Sequence, residues 1–280
     1  MYVALNSVTI QGRADWPEFV HLAHRVGYGG ADVDLAKAMA EGVDSTRALF
    51  KELKVKPAAL PFPVEFRAGE ARFLADLYKL KESAEFGRAI GCPRMITWIV
   101  SSSDKPKDEQ RRIYKDRFTA AGEVLAKSGV RLGLEFLGPL HIRKAGKYEF
   151  IYRMDEMLEF AKECGPNVGL LLDAWHWHHA GATPKNIVDA GRDRIVHVHL
   201  ADAPNLPPEQ IKDDERLLPG EGIINWKGFI GALKEIGYHD GMSVEVFGRG
   251  LKDKPVEEAA RLGLEGALKV MREGGVPKQS

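Results

Sequence analysis

Four residues of this sequence have the chemistry of metal ligands and share a setting: Glu135 in VRLGLEF, Asp173 in VGLLLD, His199 in IVHVHL and Glu245 in MSVEVF. Each is an acid or imidazole inside an otherwise apolar run, where a charge is costly to bury unless it is paired, hydrogen-bonded or metal-bound. Taken singly, each has an ordinary reading. An acid at a strand end caps the next helix or pairs with an arginine. His197 and His199, two apart, point to one face of a strand, so one of them can be a hydrogen-bonded core histidine. Taken together, the four come one per run, on four successive runs, at the same end. Three carboxylates and one imidazole form a hard, mostly oxygen donor set. That set suits Mn²⁺, Mg²⁺ or Co²⁺ in octahedral geometry better than a closed structural zinc site. Zn²⁺ with an open coordination position also fits. The expectation is one divalent ion per chain, Mn²⁺ foremost.

The order of elements explains how four runs could reach one centre. Short β-rich runs alternate with amphipathic stretches: residues 2–5, 31–34, 57–60, 94–98, 130–136, 168–173, 195–200 and 242–247. Most are continuously apolar, the pattern of parallel strands covered by helices. Between them, Asp15-Trp-Pro reads as a helix start, with Asp15 as cap and Pro17 in the first turn. Another helix opens at Asp44–Ser45, and residues 69–91 and 107–129 read as two long helices closed by glycine. Eight strand–helix pairs in 280 residues predict one (β/α)8 TIM barrel spanning residues 1–280, with its active site at the C-terminal strand ends. An open nucleotide-binding sheet would carry a glycine-rich loop after its first strand. Asn6-Ser-Val-Thr-Ile-Gln-Gly12 contains no such motif. The tail beyond Gly274 reads as frayed.

Bulk properties narrow the partners. Hydrophobic residues make up 44%, enough for a large core, and 40 basic residues balance 40 acidic ones. A neutral chain has no global field to gather nucleic acid or an anionic membrane, so a small-molecule ligand is the expected partner. Cys92 and Cys164 show no metal-binding or disulfide spacing. The N-terminus lacks a signal-peptide pattern, and no apolar run approaches the roughly 18 residues of a membrane span. These features lead to the expectation of a cytoplasmic enzyme.

The motifs LGLEFLG around Glu135, NVGLLLDAWHWHHAG around Asp173 and His176, VHVHLADAP around His199 and Asp202, RLLPGEGIINW around Arg216, and MSVEVFG around Glu245 carry a family likeness. In strand order and motif the chain resembles the xylose isomerase-like sugar isomerase/epimerase superfamily, near the inosose isomerases and ketose 3-epimerases. The resemblance implies a metal held by Glu135, Asp173, His199 and Glu245, with Glu135 and Glu245 as the acid/base pair. It further implies that His176 and Arg216 bind substrate oxygens. The residues agree for His176, which follows Asp173 by one helical turn and can face the same cavity. Arg216 alone would read as a solvated arginine in the charged run of residues 212–216. The implied reaction is isomerisation or epimerisation of a keto-sugar or keto-inositol, through proton transfer beside the carbonyl. No phosphate-binding glycine motif follows strands seven and eight, which favours an unphosphorylated substrate. Relatives that pair as dimers or tetramers make a homo-oligomer an expectation as well.

Departures from the ketose epimerases bear on the substrate. Glu135 precedes Phe-Leu-Gly, as in the inosose isomerases, and Asp202 stands where those epimerases carry a glutamate. The basic stretch of residues 139–153 is either a solvated barrel loop or brings His141 into the site as a substrate-binding or acid/base residue. Alternatively, its lysines meet an acidic partner or substrate. It also keeps open an alternative outcome, a metal-dependent lyase or dehydratase that expels a group β to the carbonyl. An abasic-site endonuclease of this fold would need a multi-zinc cluster and a basic groove, which the neutral charge opposes. A non-catalytic sugar-binding subunit would not need the intact ligand set. Asn6 at the end of strand one is a further pocket candidate. Phe62, Trp98, Trp175 and Trp177 are either packing residues or apolar walls for a sugar face.

Overall fold

The apolar runs assemble into a single parallel sheet in a computed structural model that describes residues 1–277. Its strands are β1 (Tyr2–Leu5), β2 (Gly30–Ala31), β3 (in two pieces, Lys56–Pro57 and Leu60–Pro61), β4 (Arg94–Ile99), β5 (Arg131–Phe136), β6 (Val168–Asp173), β7 (Ile195–Leu200) and β8 (Gly241–Val244). The first piece of β3 pairs with β2 and the second with β4. Between them Ala58 N–H donates to Ala31 O and Val33 N–H donates to Ala59 O. Both edges of the sheet therefore belong to one short stretch of chain, and the sheet closes into the barrel. β1 and β8 lie side by side, Leu5 opposite Val244.

Strands β1, β6 and β7 have the bounds expected from sequence, while β2, β5 and β8 are shorter. β2 ends at Ala31, because Asp34 turns its carboxylate onto Lys37 N–H to cap the helix Leu35–Glu41. β8 ends at Val244, yet Glu245 N–H still donates to Leu200 O at 3.0 Å, which holds Glu245 at the last rung of the ladder. Asp15 is not a side-chain cap. The first helix spans Glu18–Val26, Asp15 supplies its backbone oxygen to Phe19 N–H, and its carboxylate pairs with Lys37.

Helices Glu70–Ala89 and Lys107–Lys127 form where expected. Gly91 and Gly129 beyond them adopt φ of 81° and 66°, a region that glycine enters without a Cβ penalty. Residues 139–153 contain a helical turn, Leu140–Arg143, and a short strand, Tyr148–Glu149, paired antiparallel with Ser102–Ser103. β6 and β7 are buried along their whole length. They approach closely at Gly169, where a Cβ would collide with the Arg194 carbonyl. No helix of the described residues is long and apolar enough to cross a membrane.

Candidate metal centre and active site

Register brings the four ligand candidates together. In neighbouring parallel strands, His199 lies opposite Asp173 on one side and Ser243 on the other, and Glu135 ends β5 beside them. Side chains at one level on one face must then converge on the barrel axis. His199 Nδ1 is 3.3 Å from Glu245 Oε2, 3.5 Å from Glu135 Oε1 and 3.9 Å from Asp173 Oδ2. The four donor atoms all lie within 4.8 Å of one another. Glu135, Asp173 and His199 are buried.

Both nitrogens of His199 and Oε1 of Glu135 are buried without a hydrogen bond. Orphaned donors and acceptors at this density are what a bound cation would satisfy. The donor set fits a divalent ion.

Crowding sets the proton affinities of the chain itself. Burial, reinforced by the charges of Asp173 and Glu245, pushes the Glu135 carboxyl up to about 8 against the pull of His199. Burial acts the same way on Glu245, but His199 and Arg216 outweigh it and hold that carboxyl down at about 2. His199 is opposed by burial, yet the carboxylates of Glu245 and Glu135 raise it well above an ordinary imidazole.

Asp173 Oδ1 accepts from Trp175 N–H at 2.6 Å and His176 N–H at 3.2 Å, capping the helix Ala174–His179, while Oδ2 faces the other ligand candidates.

Arg216 departs from the solvated-loop reading, with only 2% of its surface exposed. Its Nη1 donates to Asp173 Oδ2 at 2.8 Å and Glu245 Oε2 at 3.0 Å, and Nη2 donates to Asp213 Oδ1 at 3.0 Å. The same Nη2 is 3.1 Å from His176 Nε2. His176 is held neutral, since burial and then the Arg216 charge lower it to about 3.

Arg216 reaches this depth because Asp202 anchors its loop. Asp202 Oδ1 accepts from the backbone N–H groups of Ala203 and Ile224, and Oδ2 accepts from Gly220 N–H and Trp226 Nε1–H. Asp202 and Leu217 also exchange backbone hydrogen bonds in both directions. With four donors on its carboxylate, Asp202 is a structural post.

A cavity of about 730 Å³ opens onto Glu135, His199 and Glu245. Asn6 lines it, with its side-chain oxygen accepting from Val8 N–H. Of the four aromatic candidates, Phe62 and Trp98 reach the cavity, and Trp98 is half exposed. Trp175 and Trp177 are packing residues, the latter edge-on to Phe229. His141 is exposed and borders a separate cleft with Lys212, Asp213, Asp214 and Phe247. Among the described residues, no hydrogen bond or ion pair joins it to the four ligand candidates.

Two polar residues at the site were not singled out from sequence. Ser243 Oγ donates to Asp32 Oδ1 at 2.8 Å and lies 2.8 Å from His197 Nε2. The serine proton is used on Asp32, so His197 supplies the proton of the second bond, as the hydrogen-bonded core histidine of the pair. Asp32 carried a signal like that of the four ligand candidates, an acid within a short β-rich run. Ser243 carried none.

This barrel and site have known counterparts. Residues 20–272 match the model of the xylose isomerase-like TIM barrel, and the chain belongs to that family. It is 26% identical over 232 residues to the inosose isomerase of Halalkalibacterium halodurans, covering 82% of this chain and 80% of the relative. It is 26% identical over 199 residues to a 3-dehydroshikimate dehydratase of Pseudomonas putida, covering 70% of this chain but 30% of that protein. A xylose isomerase domain protein from Alicyclobacillus acidocaldarius superposes with a TM-score of 0.89 at 27% identity, over 97% of this chain and 98% of that one. The zinc-bound IOLI protein superposes with a TM-score of 0.82 at 23% identity, over 98% and 99% of the two chains. The chain is an enzyme of this family.

Proposed function

We propose that this chain is a divalent-metal-dependent isomerase or epimerase that moves a proton beside the carbonyl of an uncharged keto-sugar or keto-inositol. The observation that carries the reading is that Glu135 and Glu245 both belong to the ligand set and both line the cavity, whereas Asp173 is not among its lining residues. Two carboxylates so placed can work on a substrate carbon, while Asp173 and His199 complete the ligand set. When bound, a divalent ion acidifies the C–H beside a carbonyl and stabilises the resulting enediolate. Both carboxyls would be held deprotonated by a bound ion, so that one can take the substrate proton and pass it back. Arg216 and His176 are buried in contact beside the carboxylates and are not among the residues lining the cavity, so they would meet substrate oxygens only by exchanging those contacts. Mn²⁺ is the proposed ion.

The charge of the cavity favours a neutral substrate. Its cations are already occupied: Lys37 by Asp15, Arg72 by Asp76, and Arg67 by Glu65 and the Trp98 carbonyl. A carboxylated or phosphorylated substrate would have to displace one of these pairs. The dehydratase relative keeps a second reading in view, in which the same enediolate expels a β-substituent. Incubation with Mn²⁺ and a panel of inososes and ketoses in D₂O, followed by NMR and mass spectrometry, tests both. Deuterium exchange beside the carbonyl with formation of an isomer is the expected result. Loss of water from the substrate would replace isomerase by dehydratase, and no exchange with any keto-sugar would overturn the proposal.

A further inference from the structure

His199 turns Nδ1 into the carboxylate cluster, which leaves Nε2 on the opposite edge of the ring, buried and without a hydrogen bond. Asp32 holds a matching vacancy. Its Oδ1 accepts from Ser243, but Oδ2 is buried with no partner. Asp32, His197 and His199 each place a donor atom within 4.8 Å of the other two. That separation is closed by one bridging water or a small side-chain adjustment.

We propose that Asp32 is the positioning residue of the metal centre. It accepts the Nε2 proton of His199, directly or through one water, and so fixes the tautomer that presents a bare Nδ1 to the ion. Ser243 and His197 hold Asp32 in turn, as a buried chain in which His197 Nε2–H donates to Ser243 Oγ and Ser243 donates to Asp32. A ligating imidazole whose far nitrogen is held by a carboxylate is oriented and made more basic. The inference rests on the ligand set proposed above.

The test is calorimetric titration of the metal-free full chain with Mn²⁺, together with the visible absorption spectrum of the Co²⁺-loaded form, for wild type, Asp32→Asn, Asp32→Glu and Ser243→Ala. Wild type should bind one ion. Asp32→Asn keeps an acceptor for Ser243 but sets an amide against Nε2–H. It should weaken binding about 10–100-fold and shift the Co²⁺ bands, while the metal-free melting temperature stays near that of wild type. Asp32→Glu should recover part of the affinity, and Ser243→Ala should show a smaller loss. Wild-type affinity and spectrum in Asp32→Asn would overturn the inference and leave the ligand set standing. Two ions in wild type and one in Asp32→Asn would make Asp32 a ligand and overturn it as well. A wild type that binds no ion would overturn both.

Discussion

The Nη1 nitrogen of Arg216 lies 2.8 Å from Oδ2 of Asp173, the one oxygen of that carboxylate not engaged in capping the helix behind it. A buried guanidinium thus donates to the same oxygen of Asp173 that faces the other ligand candidates. Removing one partner of such a pair leaves an uncompensated interior charge. Arg216→Met is expected to destabilise the metal-free chain by about 3–5 kcal/mol. Urea unfolding checks this. An unchanged midpoint would mean that the contact contributes nothing.

The ligand set makes a stoichiometric prediction. Purified wild type should carry or take up one divalent ion per chain, and His199→Ala should take up none. Glu245→Gln keeps a donor oxygen but loses the proton-accepting group. It should retain the ion with lower affinity and lose about 10²–10⁴-fold in turnover. Elemental analysis and steady-state rates measure the two effects separately.

Metal affinity should rise with pH. In the metal-free chain, Glu135 holds its proton to about 8, and His199 is protonated well above its ordinary range. A metal ion must displace those protons, so binding is disfavoured below pH 8 and strengthens as pH rises towards it. The apparent association constant should change about tenfold per pH unit for each proton displaced. Titrations in buffers of different ionisation enthalpy count the protons released. A pH-independent affinity between 6 and 8 would contradict the electrostatics of the cluster.

Asp202 should matter for stability and, through Arg216, for activity. Asp202→Asn keeps an oxygen for Ala203 and Ile224 but loses the acceptor for Gly220 N–H and Trp226 Nε1–H. Hydrogen bonds to a charged group contribute about 1.5–3 kcal/mol each, so the thermal midpoint should fall by several degrees. Limited proteolysis should open the loop of residues 216–226. Wild-type resistance to protease would show that the backbone pairing with Leu217 suffices.

Much of this protein is settled by local sequence. Short, mostly apolar runs such as VGLLLD and IVHVHL, bounded by turn signals, read as strands buried on both faces. Their spacing by helices requires parallel order, and an acid or histidine at each C-terminal end then has one place to go. The fold and the four ligand candidates follow from that periodicity, which is a property of neighbours along the chain. Tertiary structure decided what depends on distant segments. Arg216 looks solvated within its charged run and becomes buried only because Asp202 anchors the loop beneath it. Asp173 could cap a helix or face the ligand set, and the register with His199 lets its two oxygens do both. Asp32 and Ser243 meet across 211 positions of sequence, a juxtaposition made by closure of the barrel, which no local pattern encodes.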